Sequence, residues 1–247
     1  MKNTRRLVLA IASIFWALAS PPLAPAQAVG NNAVYNSTNG VTFSTSFIDA
    51  SMFLSPNSTL GRDVCDAIYR LLSGFPGFPP YPSTGAVIDA RGISGATNLT
   101  CTHGSPWTEG SNTVTVPSTI LLPAGTIIIP ATWVLPNYTR LVGAGDALDY
   151  LSTGTVSVGT TLQACLPSVN HCSSSFSGSD MIDLGTSQLC PASVCNSVSV
   201  ENLTLDGLGQ SLNGIVNTSA KTGSHVDHVS LFQLLGTGLS LSGNASK

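Results

Sequence analysis

The feature that most constrains the fold is an internal repeat near the end of the chain. The segment 200–205 (VENLTL) returns at 226–231 as VDHVSL, and only the third position, Asn202 against His228, changes its chemical type. A second repeat begins at Gly214 and returns at Gly238. A period in the mid-twenties predicts one coil of a β solenoid, in which aliphatic residues of equal phase form inward columns and Asn202 and His228 lie at turns. A β-sandwich is the competing interpretation.

The rest of the sequence is a series of short β-type runs preceded by one helix. Residues 63–73 carry apolar side chains at helical spacing, Asp63 can cap the first turn, and Gly74 suits the C-terminal cap. No second helical pattern follows, so the sequence predicts an all-β protein rather than alternating α/β units. Runs rich in β-branched residues are predicted as strands at 87–90, 119–122, 126–129, 140–142, 161–164 and 181–184.

The segment 1–28 has the features of a secretory signal. Lys2, Arg5 and Arg6 form a positive start, residues 7–19 are uncharged and apolar, and residues 26–28 (AQA) give the small-x-small pattern of a cleavage site. An uncleaved anchor is the alternative, but the apolar run is short for a membrane span. We therefore predict a signal peptide at 1–28 and a secreted, periplasmic or cell-surface location.

The charge balance limits the partners of the mature chain. Removal of three cations with the signal leaves six Lys and Arg against twelve Asp and Glu, a net charge of −6. No basic patch remains, which argues against nucleic acid and anionic membranes as partners. The uncharged stretch 116–136 contains four prolines and predicts short strands rather than a membrane helix. A neutral or cation-bridged substrate fits this balance better.

Six cysteines lie in the mature part and predict an oxidising compartment. The sequence has no Cys-x-x-Cys motif and its four histidines complete no zinc pattern, so sulfur-based metal binding is not expected. Six cysteines allow fifteen connectivities, and their order favours local pairs with short loops. The favoured pairs are Cys65–Cys101, Cys165–Cys172 and Cys190–Cys195.

Four segments in fixed order resemble the N-terminal part of pectate-lyase-like right-handed parallel β-helix proteins. They are residues 63–68 (DVCDAI), 85–92 (GAVIDARG), 122–127 (LPAGTI) and 138–145 (YTRLVGAG), and residues 200–207 (VENLTLDG) look like a regular coil of the same superfamily. The resemblance implies an all-β fold: a right-handed parallel β-helix, or solenoid, with an N-terminal capping α-helix. The resemblance covers residues 60–247, which we expect to be a β-helix domain and the incomplete N-terminal portion of a longer one. Residues 29–59 are rich in Asn, Ser and Thr, and this composition predicts a lead-in segment.

The superfamily contains lyases, glycoside hydrolases, esterases, epimerases and non-enzymatic surface proteins, so the resemblance does not assign a reaction. We expect a secreted protein that binds or acts on a polysaccharide, with lyase or glycoside hydrolase chemistry if it is an enzyme. The alternative is a surface or adhesive structural solenoid without chemistry. The three clustered Asp residues and the Gly-His-Gly element of polygalacturonase-type hydrolases are missing from the sequence.

The candidate metal site comes from the repeat. Glu201 and Asp227 occupy equivalent positions in successive coils, so their carboxylates are predicted to point outward together, one strand spacing apart. Two such carboxylates repel unless a cation lies between them, and calcium prefers oxygen ligands. We therefore expect weak calcium binding at this pair, strengthened by an acidic glycan. The alternative is that both are solvated surface carboxylates.

The main arginines of the predicted solenoid have two interpretations. Arg91 and Arg140 could place a cation near a uronate, as a β-eliminating lyase requires. The favoured interpretation is that each forms an ion pair at a strand end. Asp206, followed by Gly207, is predicted to belong to an ordinary turn rather than to an acid pair.

Overall fold

The computed structural model describes residues 47–53, 63–74, 86–93, 99–102, 104–145, 159–190 and 194–241. The predicted signal peptide and most of the lead-in segment lie outside these residues. All described residues belong to one compact unit, Ala33–Lys247.

The described chain is mostly strand, with few helices, which confirms the all-β expectation. The strands are β1 (Phe47–Asp49), β2 (Ala86–Asp89), β3 (Leu99–Thr100), β4 (Thr108–Glu109), β5 (Asn112–Thr113), β6 (Ser118–Leu121), β7 (Gly125–Ile129), β8 (Ala131–Val134), β9 (Thr139–Val142), β10 (Thr160–Ala164), β11 (Ser177–Asp183), β12 (Ser199–Gln210), β13 (Asn213–Asn217), β14 (His225–Leu234) and β15 (Leu239–Leu241). The helical elements are a 3₁₀ turn (Ala50–Phe53), α1 (Val64–Ser73) and α2 (Pro167–Asn170). Each predicted strand run overlaps an observed strand, whereas α2 was not predicted.

Almost all strand pairing is parallel and falls into three rows. Row one consists of β1, β2, β6, β9 and the first parts of β12 and β14. Row two consists of β3, β7, β10 and the second parts of β12 and β14. Row three consists of β8, β11, β13 and β15. From β6 onward the chain visits the rows in the same order four times, and the short β4–β5 hairpin is the antiparallel exception among the named strands.

The register of β12 and β14 matches the sequence repeat. Val200 pairs with Val226 and Leu205 with Leu231, which is the alignment that the repeat predicts. Asn202 and His228 have positive φ values of 55° and 49°, so each turns the strand from row one to row two. This confirms the prediction that the changed position of the repeat lies at a turn. The second repeat is also confirmed, because Ile215 pairs with Leu239 in row three.

Inward-facing columns of aliphatic residues form the core. In row one, Ile88, Ile120, Leu141 and Val200 are stacked in register and fully buried. Burial of each such side chain contributes about 1.5–3 kcal/mol relative to exposure. The alternation of buried and exposed positions along these strands leaves the side chains between them on the outer surface.

Helix α1 packs beside the 3₁₀ turn and β3 and buries its apolar stripe in the same core. Its N-cap is Asp63, whose Oδ1 accepts a hydrogen bond of 2.9 Å from the backbone N of Asp66. The other carboxylate oxygen accepts from the backbone N of Thr102 at 2.7 Å, so the cap also joins α1 to the segment after β3. The predicted helix and its N-cap are therefore confirmed.

The six cysteines form three disulfides, Cys65–Cys101, Cys165–Cys172 and Cys190–Cys195. The first ties α1 to the residue after β3. Gly185, at a φ of 81°, lies against the third, because a Cβ at this position would be 2.5 Å from the Sγ of Cys195. Three disulfides fit an oxidising compartment. Among the described residues, no helix has both the length and the apolar character needed to cross a bilayer.

Candidate functional site

The most connected charged group on the outer surface of row one is the carboxylate of Glu201. Its Oε1 accepts hydrogen bonds from Arg140 Nε at 2.7 Å and from Ser199 Oγ at 2.9 Å, and its Oε2 accepts from Arg140 Nη2 at 2.5 Å. The Nε2 atom of His225 lies 3.1 Å from Oε1. Side chains from β9, β12 and β14 therefore contact the same carboxylate.

The register of row one explains this cluster. Ser199 pairs with Arg140 on one side and with His225 on the other, so these three residues form one outward column. Glu201 comes two positions later along β12 and lies in the neighbouring outward column. Its side chain lies between Arg140 of the neighbouring strand β9 and His225 of the neighbouring strand β14.

The electrostatics of the cluster follow from these contacts. The Arg140 guanidinium, helped by Ser199 and opposed by burial, lowers the pKa of Glu201 from 4.5 to about 2. The same hydrogen bonds raise the pKa of Arg140. Arg140 and His225 are both about half exposed, so the buried carboxylate fixes their position while part of each side chain still faces solvent.

Glu201 and Asp227 are register partners, as the repeat predicts, but the two carboxylates differ in exposure. Asp227 is exposed, with 60% of its side chain accessible, and its Oδ1 lies 2.9 Å from His228 Nδ1. Glu201 is only 8% accessible, because Arg140 and His225 cover it. A cation shared by the two carboxylates would have to compete with the Arg140 guanidinium, so the pair as it stands fits calcium poorly. No group of three metal-ligating side chains occurs in the part of the chain that the structure describes.

A second ion pair lies further along row one. Arg91 Nε and Nη2 donate to the two carboxylate oxygens of Asp89, each at 2.9 Å, and the pairing lowers the pKa of Asp89. The Arg91 side chain is also about half exposed. Both arginines therefore form ion pairs at strand ends, as the favoured interpretation predicted.

A cavity of about 440 Å³ lies beside the Arg91–Asp89 ion pair, and Arg91 belongs to its lining. Asp89, Leu121, Val142 and Glu201 are successive register partners in one outward column, so the two aliphatic residues separate the two carboxylates. The residues that line the cavity are Arg91, Leu121, Val142, Gly143, Ala144, Gly145 and Asn202.

The cavity needs glycine at one position. A Cβ on Gly143 would lie 2.2 Å from the carbonyl oxygen of Asn202, so the turn after β9 can only approach the corner of β12 without a side chain. Sequence reasoning missed the cavity. The sequence did contain an indication of the cavity, because Leu121 and Val142 are apolar residues at outward positions. That these two residues point outward is clear only when the strand register is known.

Two other carboxylates lie away from this cluster. Burial raises the pKa of Asp183 to about 6, with a smaller contribution from Asp180, and Thr218 Oγ1 donates to Asp183 at 3.3 Å. Asp183 is in row three, and its perturbed pKa was not foreseen. Asp206 lies within β12 and accepts a hydrogen bond from the backbone N of Leu208 at 2.9 Å.

Comparison of the chain with protein-family models, with curated proteins and with solved structures returns no match.

Proposed function

We propose that this chain is a secreted right-handed parallel β-helix protein of the pectate-lyase-like type that binds a polysaccharide on row one. The repeated visits to three parallel rows support the β-helix, as do successive coils that repeat in register and the helix α1 beside the first strands. The three disulfides and the signal-like N-terminus support secretion.

The cavity beside the Arg91–Asp89 ion pair is the observation that supports the binding function. Ligand sites combine an apolar floor with a few fixed polar groups, and Leu121 and Val142 supply the floor here. A sugar ring can place its C–H face on that floor while its hydroxyl groups meet Asn202 and Arg91. Arg91 uses Nε and Nη2 on the carboxylate of Asp89, which leaves its other guanidinium N–H groups to donate to a ligand.

An acidic glycan is the ligand class we propose first. The fixed Arg91 guanidinium can form charge-assisted hydrogen bonds with a carboxylate, and these are about twice as strong as neutral ones. Arg91 is already neutralised by Asp89, so a neutral polysaccharide remains the second choice. A proton-transfer role for Glu201 is disfavoured, because a carboxylate with a pKa of about 2 is a weak base near neutral pH.

Binding can be measured by calorimetry on residues 29–247 with polygalacturonate, a neutral xylan and a sulfated glycan. We expect polygalacturonate to bind, and Arg91→Gln to weaken binding by about tenfold or more, as expected for loss of a charged hydrogen bond. Arg70→Gln is the matched control, because Arg70 also pairs with a carboxylate, Asp66, but on α1. Absence of binding to all three polymers, or equal loss in both variants, would reject the proposal.

The same binding experiment is carried out with calcium and with a chelator. Asp227 is exposed and could share a calcium ion with carboxylates of the glycan. If the prediction for Glu201 and Asp227 holds, calcium tightens polygalacturonate binding and the Glu201→Gln/Asp227→Asn double variant removes that gain. Identical affinities with calcium and with a chelator would remove calcium from the proposal.

A structural solenoid without a ligand is the second candidate, and one observation favours it. Row two carries a column of hydroxyl residues stacked in register, Thr126, Thr161, Thr204 and Ser230. A stacked column of this kind fits a structural role better than glycan action. Failure of every glycan in the panel, with the protein folded and stable, would make this candidate the first choice.

A further inference from the structure

The lining of the row-one cavity combines one charged side chain with one neutral polar side chain. Among the described residues that line it, Arg91 supplies the charge and Asn202 the side-chain amide, and the others are aliphatic or glycine. The second arginine of row one, Arg140, is not among these lining residues. The cavity therefore offers a ligand one cation, one amide and an apolar floor.

The two polar side chains lie at opposite ends of this floor. Asp89 and Glu201 end the outward column that contains the floor, and their Cα atoms are three strand spacings apart, about 14 Å. Arg91 follows Asp89 by two positions, and Asn202 follows Glu201 by one. A ligand that contacts both Arg91 and Asn202 must therefore be extended and must present a different group to each of them.

The side-chain amide of Asn202 is not used by the fold. Asn202 has a φ of 55°, and its backbone oxygen accepts a hydrogen bond from the backbone N of Gly145 at 3.1 Å. Within the described residues, its amide takes part in no hydrogen bond. The turn itself requires no amide, because His228 holds the matched position of β14 with a φ of 49°. Asn202 therefore keeps a donor and an acceptor for a ligand.

The apolar floor disfavours a second carboxylate on the ligand. The side chains of Leu121 and Val142 have no hydrogen-bond donor, so an anionic group above them would lose water without gaining a partner. At the far end, Asn202 can donate a hydrogen bond but carries no charge. A hydroxyl or ester group costs less to place there than a carboxylate does.

We propose that the cavity binds one uronate residue within an otherwise neutral stretch of glycan, with Arg91 holding the carboxylate and Asn202 selecting the neutral end. This inference rests on the proposed function, because it takes the row-one cavity as a glycan site. It narrows the ligand class from acidic glycans in general to glycans whose carboxylates are widely spaced. In this arrangement Asn202 is a specificity-determining residue.

The test compares three ligands that share one backbone. They are polygalacturonate, the same polymer with half of its carboxyl groups converted to methyl esters, and the fully esterified polymer. Calorimetry on residues 29–247 with a chelator present gives the affinities at equal concentrations of sugar residues. We expect the half-esterified polymer to bind about threefold or more tightly than polygalacturonate, and full esterification to weaken binding by about tenfold or more, because it removes the charged contact with Arg91.

Variants of Asn202 identify the residue that selects the neutral end. Asn202→Gly removes the amide and tolerates the positive φ, so it should weaken binding of the half-esterified polymer by about threefold to tenfold and remove its advantage over polygalacturonate. Asn202→Asp adds a charge at nearly constant size, and it should weaken polygalacturonate binding more than half-ester binding.

His228→Gly is the matched control. It makes the same kind of change at the matched turn position, outside the residues that line the cavity, and it should leave all three affinities unchanged. Circular dichroism checks that each variant is folded.

The outcomes separate this inference from the proposed function. If none of the three polymers binds, the proposed function fails and the inference fails with it. If polygalacturonate binds through Arg91 but binds more tightly than the half-esterified polymer, the proposed function stands and the inference is overturned. Unchanged affinities in Asn202→Gly, or equal binding of the fully esterified polymer, would also overturn the inference.

Discussion

Replacement of Glu201 by Gln tests whether the Arg140–Glu201–His225 cluster contributes to stability through charge. The substitution keeps the shape of the side chain and the hydrogen bond from Ser199, but it removes the negative charge that Arg140 contacts. The fall in the pKa of Glu201 from 4.5 to about 2 corresponds to about 3 kcal/mol between its two protonation states. Because Arg140 is half exposed, solvent screens the pair, and we expect a loss of about 1–2 kcal/mol at neutral pH.

The sign of the pH dependence follows from the lowered pKa. A carboxylate whose pKa is lower in the folded state contributes stability above its unfolded value, here pH 4.5, and loses that contribution as the pH falls toward 2. The difference in unfolding free energy between wild type and Glu201→Gln should therefore be full at pH 7 and close to zero at pH 2.

Urea denaturation at a series of pH values measures this difference. Asp227→Asn is the control, because Asp227 is exposed on the next strand, and its effect should stay within about 0.5 kcal/mol. A double-mutant cycle with Arg140→Gln isolates the pair. A Glu201→Gln effect that is the same at pH 2 and pH 7, or a coupling energy of zero with Arg140, would refute the reasoning.

Three further predictions concern burial and close contacts. Asp183→Asn should stabilise the protein by about 1–2 kcal/mol at pH 7 and have little effect below pH 4. The reason is that the pKa of Asp183 is raised to about 6 in the folded protein, so ionisation of its carboxyl group opposes folding as the pH rises. Denaturation at both pH values checks this. Leu203→Asp should prevent folding, because Leu203 is fully buried. Val229→Asp, at the matched position of β14, should yield a folded protein. Circular dichroism separates the two outcomes. Gly143→Ala should lower stability by about 1–3 kcal/mol, because its Cβ would meet the backbone of Asn202, and a thermal melt that matches wild type would contradict this.

The sequence determined the local elements and two inter-strand registers, one for each repeat. The helix α1 follows from its apolar spacing and from Asp63, because capping and amphipathicity are local properties. The pairing of Val200 with Val226 follows from the repeat, because two neighbouring strands with the same pattern of inward residues pair in the register that aligns those residues. The ion pair of Arg91 with Asp89 is also local, since the two residues lie at one strand end.

The tertiary structure alone decided what surrounds Glu201. Arg140 comes far earlier in the chain than Glu201, yet their strands are neighbours in row one. Many more residues separate β9 from β12 than separate β12 from β14, so no constant period connects Arg140 and Glu201 in the sequence. The burial of Glu201, the cavity beside Arg91 and the raised pKa of Asp183 all depend on which strands become neighbours, and a chain with unequal spacing between its strands does not encode that order as a repeat.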